Sequence, residues 1–380
     1  MTRVALVTSS FAPYIGGVET HVREVARELA GRGHDIEVWS VARDGVPGER
    51  VDSDIVVRDL PAPLPARDTR AVLRFAQTFA AARRTWSLAI ANFGPEILHV
   101  QCFGPNGAYG TAFARSRGLP LVVSSHGETI ADDDDVFGSS AIAQHALRRA
   151  LRDAAAVTGC SPVVLDDLRG RFGLAAGRGE VVPNGVEPSI AAEPPAGLPS
   201  VYFAGAGRLE HIKGFDLLVR AFAAAGLGPD VELVLGGDGR LAPSLRSLID
   251  ELGLSSRVRL LGRLSPPAVA GLLEGALAVV VPSRFEAFGI AVLEAWRARR
   301  PLVAADRGGI PGLVRDGVDG LLVDPEDETG FARVLERIAR DGSLRERIAR
   351  EGALNVERFR WADVAARYEA IYDRIAGGFG

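Results

Sequence analysis

Two short stretches hold cations and carboxylates at spacings that suit a phosphorylated ligand. In Gly207-Arg208-Leu209-Glu210-His211-Ile212-Lys213-Gly214-Phe215-Asp216, Arg208 and Lys213 lie five residues apart. A planar guanidinium grips a phosphate through two parallel bonds, and an ammonium supplies a compact point charge. Together they suit a diphosphate whose charge must be held as it leaves. Two solvated surface cations are the simpler alternative. Against it, Lys213 is the only lysine among 44 lysine and arginine residues. In Pro282-Ser283-Arg284-Phe285-Glu286-Ala287-Phe288-Gly289-Ile290-Ala291-Val292-Leu293-Glu294-Ala295, two carboxylates stand eight residues apart. If all eight residues are helical, the pair spans about 12 Å. Glycosidase carboxylates stand closer, roughly 5 to 9.5 Å apart. The spacing therefore fits gripping two ends of one extended ligand better than flanking one bond. Glu294 sits in an apolar run, where a carboxylate needs hydroxyl or amide partners. Ribose hydroxyls would serve. A helix-terminal charge at Glu286 and a solvated face at Glu294 are the alternative.

Three stretches of the first half have chemical character. Ser9-Ser10-Phe11-Ala12-Pro13-Tyr14-Ile15-Gly16-Gly17-Val18-Glu19 follows the first apolar run. It lacks Gly-x-Gly-x-x-Gly, so the usual dinucleotide fingerprint is missing. Gly16 and Gly17 precede a helix pattern, where free N–H groups favour an anion and glycines let a ligand approach. An ordinary turn is the alternative. His126 closes another run in Ser124-Ser125-His126-Gly127-Glu128. At a strand's carboxyl end it would point to a ligand and titrate near neutrality; a structural histidine is the alternative. Asp132–Asp135 reads as a solvated loop rather than a metal site. The other histidines form no close metal spacing.

These residues need a scaffold that brings loops together, and the apolar pattern supplies one. Val4–Val7, Ile36–Trp39, Ile97–Val100, Leu121–Ser124 and Val157–Cys160 read as strands. Amphipathic stretches separate them, the first with Val18, Val22, Val25, Ala26 and Leu29 on one face. Continuous apolar strands alternating with helices predict a parallel sheet covered on both faces. Residues 187–200 hold four prolines and read as a linker. The alternation then restarts with Val201–Ala204, Val231–Leu235, Val258–Leu261, Ala278–Val281 and Leu302–Ala304, and helices are predicted over Asp216–Ala225 and Ala287–Ala298. The predicted fold class is α/β, with two Rossmann-like parallel-sheet domains. They cover residues 1–186 and 201–358, with a terminal helix over 359–380. Ligands of such sheets bind beyond the carboxyl ends of the strands, and the cleft between the domains is the expected site.

Composition excludes other classes. A net charge of −4 argues against a nucleic-acid binder. Two cysteines make neither a disulfide framework nor a Cys-rich metal site. No apolar run reaches the roughly 18 residues of a membrane span. The amino terminus enters a strand directly, without a signal-peptide pattern. The expected location is cytoplasmic. Arg67, Arg70, Arg74, Arg83 and Arg84 flank a helix pattern over Ala71–Ala82. A solvated face is the first reading, and weak peripheral contact with the inner face of an anionic membrane the second.

The ordered set Gly16-Gly17-Val18-Glu19, His126, Val182-Pro183-Asn184-Gly185-Val186-Glu187, Gly207-Arg208-Leu209 through Lys213-Gly214, Gly236-Gly237-Asp238-Gly239 and Glu286-x7-Glu294 resembles the family 4 retaining glycosyltransferases of the GT-B fold. The resemblance runs from residue 3 to about 375. It implies metal-independent transfer of a sugar from a nucleotide sugar to an acceptor hydroxyl, with no cofactor. UDP-sugar is the first donor and GDP-mannose the second. It implies that Gly17 offers its N–H to the diphosphate beside Gly16, and that Arg208 and Lys213 hold the same phosphates. Glu286 would take donor-sugar hydroxyls. The amides of Phe288, Gly289 and Ile290 would line sugar and phosphate. Glu294 would hold the ribose, and backbone near Arg263 and Leu264 would meet the base. His126 would face the reacting sugar from the other domain. Retention would follow from front-side attack, with the leaving phosphate taking the acceptor's proton and no Glu as nucleophile. The helix over about Trp361 to Ile375 looks like the family's tail crossing back to the first domain. Arg299-Arg300-Pro301 and Gly308-Gly309-Ile310-Pro311-Gly312 depart from the family pattern without removing a residue assigned above. A nucleotide-sugar epimerase of similar fold is the alternative; a Rossmann oxidoreductase lacks its fingerprint here, and a mere binding module would not need both cations and both carboxylates. The acceptor, whether glycan, lipid or natural product, is not legible, and neither is the oligomeric state.

Overall fold

The computed structural model describes residues 1–14, 16–64, 69–131 and 135–378, without the side chains of 69–74, 76 and 77. Arg67 and Asp132–Asp134 thus lie outside the described residues, as do the side chains of Arg70 and Arg74. Chain contacts divide the molecule into two units, Met1–Asn184 with Trp361–Gly380, and Gly185–Arg360.

The first unit runs β1 (Arg3–Thr8), α1 (Gly17–Gly31), β2 (Asp35–Val41), β3 (Gly48–Asp52), β4 (Ile55–Leu60), α2 (Thr69–Phe93), β5 (Ile97–Gln101), α3 (Pro105–Arg117), β6 (Leu121–Ser125), α4 (Val136–Ser139), α5 (Ala141–Asp153), β7 (Ala156–Gly159), α6 (Pro162–Phe172) and β8 (Glu180–Val181). Its sheet has the order β3-β4-β2-β1-β5-β6-β7-β8 and is parallel except for β3 against β4. That pair is an edge hairpin whose turn residues Ser53 and Asp54 both take positive φ. The central strands are apolar on both faces, as a sheet covered by helices on two sides requires. One face packs Trp39, Trp86, Phe113, Leu147 and Leu168; the other packs Leu6, Val22, Val25 and Leu29. At the carboxyl end the register aligns Thr8 with Gln101, Gln101 with Ser124, and Ser124 with Thr158. This row of four polar side chains is wholly buried.

The second unit runs β9 (Tyr202–Ala206), α7 (Phe215–Ala224), β10 (Glu232–Gly236), α8 (Ala242–Glu251), β11 (Val258–Leu260), α9 (Pro266–Glu274), β12 (Ala278–Val281), α10 (Ile290–Arg297), β13 (Leu302–Ala305), β14 (Leu321–Val323), α11 (Glu328–Arg340) and α12 (Gly342–Asn355). Its six strands are all parallel in the order β11-β10-β9-β12-β13-β14. The order reverses between β9 and β12, the place where such sheets take a ligand. The helix predicted over Ala287–Ala298 begins only at Ile290, because Gly289 sits at φ 101° and residues before it form a turn. Glu286 therefore precedes the helix, and the 12 Å separation, which assumed eight helical residues, does not apply. Residues 187–200 are not a free tether: Glu193 N–H donates to the Pro267 carbonyl, and Pro194 backbone lies close against Gly271.

The last helix, α13 (Trp361–Gly377), belongs to the first unit. Trp361, Val364, Tyr368, Ile371 and Tyr372 are buried there with residues of α1. No described helix is long and apolar enough to cross a membrane. On α2, Ala82 and Trp86 face the core while Arg83 and Arg84 are exposed.

Candidate functional site

In the second unit the loop after β9 carries Arg208 and Lys213, and the loop after β12 carries Ser283, Arg284 and Glu286. The two loops are fastened to each other. Arg284 N–H donates to the Ile212 carbonyl at 2.8 Å, and its guanidinium donates to both Asp216 oxygens, at 2.8 and 2.7 Å, and to the His211 carbonyl. Burial pushes Asp216 up, but the Arg284 fork outweighs it and holds the carboxyl below its ordinary value. Such bidentate pairs fix geometry as well as charge. The result is that Lys213 Nζ donates to Glu286 Oε1 at 2.6 Å, and Ser283 Oγ donates to the same oxygen at 2.8 Å.

Gly214 makes this approach possible. Its φ is 65°, and a Cβ there would stand 2.1 Å from the Pro282 carbonyl oxygen. Gly214→Ala should therefore push the two loops apart, since a backbone carbonyl cannot rotate away as a side chain can. We expect a thermal midpoint several degrees lower and turnover reduced roughly tenfold, from strain of about 1–2 kcal/mol plus the displaced Lys213. A melting curve and initial rates matching the unsubstituted protein would contradict this.

Glu294 lies on α10 one turn above Ile290, and its carboxyl is raised by burial, against which the nearby charges of Arg297 and Lys213 act. Lys213 is thus close enough to act on both carboxylates. Phe288 and Gly289 are buried, and the Gly289 turn opens α10. The Gly308–Gly309 loop packs on the same backbone, with Gly309 N–H donating to the Glu286 carbonyl at 2.7 Å. Arg208 is exposed on the end of β9, and its charge is felt at Glu210. After β11, Arg263 is exposed and Leu264 lies against Gly236, where a Cβ would come within 2.6 Å of it. The structure thus joins Lys213, Glu286, Glu294 and the start of α10, and sets Arg208 beyond β9 and Arg263 and Leu264 beyond β11, on either side of β10.

In the first unit Gly16 caps α1 in an extended conformation, and Gly17 is its first residue. Glu19 folds back over this end, so that a Cβ on Gly16 would lie 2.5 Å from Glu19 Oε2. His126 does not titrate near neutrality as its position in the sequence implied. Burial lowers it to about 4, although Asn184 acts in the opposite direction. Its ring lies 4.4 Å from that of His21, which burial and His126 also keep well below the ordinary range. His126 Nε2 meets Gln101 Oε1 at 2.7 Å. Glu128 accepts from the N–H groups of His126 and Phe103 and from Ser125 Oγ, fixing the backbone around the ring.

Gln101 and His21 touch His126, with His99, Tyr368 and Tyr372 behind them; all five are scattered along the chain, so no local motif marks them. Ser283, Arg284 and Asp216 lie in the two chemically suggestive stretches, but only their contacts reveal a task. Among the described residues, no group of three or more His, Cys, Asp or Glu is placed to hold a metal ion.

The family model described as Glycosyltransferase Family 4 matches residues 15–190, and the one described as Glycosyl transferases group 1 matches residues 192–354. The D-inositol 3-phosphate glycosyltransferase 1 of Catenulispora acidiphila is 32% identical, over 96% of this chain and 92% of its own length. The alpha-D-kanosaminyltransferase of Streptomyces kanamyceticus is 31% identical over 86% of this chain and 91% of its own. Among solved structures, sucrose-phosphate synthase from Thermosynechococcus elongatus superimposes with a TM-score of 0.84 at 22% identity, over the full length of both chains. Anabaena HepE in complex with UDP and glucose superimposes with a TM-score of 0.78 at 20% identity, covering 98% of this chain and 100% of its own.

Proposed function

This chain belongs to glycosyltransferase family 4, with the GT-B fold, and from that premise we propose that it is a retaining, metal-independent enzyme that moves a sugar from a UDP-sugar to an acceptor hydroxyl. The observation that carries the proposal is the shared contact of Lys213 and Ser283 on Glu286, beneath the start of α10 and near the half-buried Glu294.

The chemistry follows from those groups. Lys213 and Arg208 hold the diphosphate, and the free N–H groups at the start of α10 add a fixed partial positive charge. Glu286 accepts hydrogen bonds from hydroxyls of the sugar being moved, and Glu294 from the ribose. His126, held neutral by burial, hydrogen-bonds a hydroxyl of that sugar. The acceptor oxygen forms its bond to the anomeric carbon on the face from which the phosphate leaves. The carbon–phosphate-oxygen bond breaks, and the phosphate oxygen takes the acceptor's proton. No side chain forms a covalent intermediate.

UDP is favoured as the nucleotide because HepE, which shares the fold, is seen with UDP and with UDP-glucose. D-inositol 3-phosphate is the first acceptor to try, since relatives covering nearly the whole chain bear its name. A thermal-shift panel of UDP- and GDP-sugars reads the donor, because a ligand bound to the folded state raises its midpoint. We expect UDP-sugars to stabilise, EDTA to leave transfer unchanged, and the product to keep the donor's anomeric configuration. Stabilisation by GDP-mannose alone would reassign the nucleotide. Epimerised sugar formed from donor alone would overturn transfer in favour of an epimerase.

A further inference from the structure

Behind His126 lies a closed set of polar side chains drawn from five elements. Gln101 Nε2 meets His99 Nε2 at 3.2 Å; Ser124 Oγ meets the same nitrogen at 2.7 Å and Thr158 Oγ1 at 2.6 Å. His99 Nδ1 meets the Tyr372 hydroxyl at 2.6 Å. On the other flank, His21 Nδ1 meets Asn184 Oδ1 at 2.7 Å and His21 Nε2 meets the Tyr368 hydroxyl at 3.1 Å.

With the Gln101 amide in the orientation found, these contacts allow one assignment of protons. An amide nitrogen only donates and an amide oxygen only accepts. With the Gln101 amide oriented as found, its Nε2 donates to His99 Nε2, which must then be the unprotonated nitrogen. His99 Nδ1–H accordingly donates to Tyr372. The Gln101 oxygen can only accept, so His126 must carry its proton on Nε2. His126 Nδ1 is then a bare acceptor, buried and with no hydrogen-bond partner among the described residues. The backbone adopts an uncommon conformation beside this contact: Cys102, directly after Gln101, sits at φ 62°. For a residue other than glycine this is sparsely populated and held only by its surroundings.

We propose that Gln101 is a positioning residue that locks His126 in the Nε2–H tautomer, so that Nδ1 is presented as the acceptor for a hydroxyl of the transferred sugar. The inference rests on the role given to His126 above. Groups facing the ring region are His21 from α1, His99 and Gln101 from β5, Ser124 from β6, Glu128 from the loop beyond it, Thr158 from β7, Cys160 after it, Asn184 after β8, and Tyr368 and Tyr372 from α13. None is a carboxylate on the ring itself; Glu128 engages the His126 backbone. Burial keeps the imidazole neutral against the opposing pull of the Asn184 side chain, and the Gln101 amide decides which nitrogen is bare.

Two variants of the full chain test this, with nitrogen-15 spectra of the histidine rings read alongside kinetics. Gln101→Met keeps the volume and removes the acceptor. It should move His126 out of the pure Nε2–H form and lower kcat roughly tenfold, the scale of losing a partner that orients a histidine, with donor KM and thermal midpoint little changed. Gln101→Glu keeps the acceptor and adds a charge. It should retain the Nε2–H form, raise the His126 pKa by more than one unit and give kcat a new acid limb at that pKa, with full rate above it. A Gln101→Met protein that keeps the Nε2–H signature, or a Gln101→Glu protein whose His126 titration does not move, overturns the inference. A tautomer that changes while kcat holds leaves Gln101's control of the ring standing and overturns His126's part in transfer instead.

Discussion

Lys213→Arg should keep the fold and the positive charge and still lose turnover by about a hundredfold, within the range for removing one transition-state charge contact. The site is built for an ammonium. Nζ approaches Glu286 Oε1 to 2.6 Å, and that oxygen also takes the Ser283 hydroxyl. A guanidinium presents a flat fork two heavy atoms across and would compete with Ser283 for the same space. Circular dichroism and the melting midpoint would report the fold, and initial rates at saturating donor the turnover. A kcat within threefold of the unsubstituted protein would show that the charge alone matters and its shape does not.

Glu286→Gln should cost at least as much, on the order of a hundredfold or more in kcat. The amide has the size of the carboxylate, so packing survives, but hydrogen bonds to a neutral acceptor are roughly half as strong as those to an ionised one. Lys213 also loses its counter-charge, while the Arg284–Asp216 fork that fastens the loops is untouched. The defect should fall on turnover more than on nucleotide affinity, because in the proposed scheme Glu286 meets the sugar being moved while Arg208 and Glu294 still hold the nucleotide. Adding azide separates this from a nucleophile's role. If Glu286 attacked the sugar, azide would restore turnover in the variant by replacing it, and the no-intermediate scheme would fall.

The parallel strands were legible because each is a short, continuous apolar run, which only a sheet buried on both faces demands. The β3–β4 hairpin leaves no continuous apolar run: β3 is polar and exposed, with Val51 68% exposed at the edge, and β4 alternates the buried Ile55 and Val57 with half-exposed residues. Strands β8 and β14 are too short to leave a pattern. The start of α10 was misplaced because a single glycine torsion overrides a helical run of side chains. At the site, the residues of the second unit were readable from their types, yet their mutual contact was not. Lys213 and Glu286 are 73 residues apart, and only the reversal of strand order between β9 and β12 makes them neighbours. His126 stood out by its place after a strand, but its near-neutral titration was misjudged. The cause is enclosure against His21, which is itself backed by Tyr368 of α13, and neither is close to His126 in sequence.

The return of α13 to the first unit bears on how the protein is made. A ribosome delivers residues 1 to 184 first, but the apolar face of α1 waits for Trp361, Tyr368 and Tyr372. Residues 185 to 360 hold a contiguous core and can close as soon as they emerge. The unit begun first is therefore completed only once residues 361 to 377 have emerged behind the whole of the second unit. Until then His21 and His99 lack their tyrosine partners, so a chain interrupted before residue 361 carries one finished half and one open one.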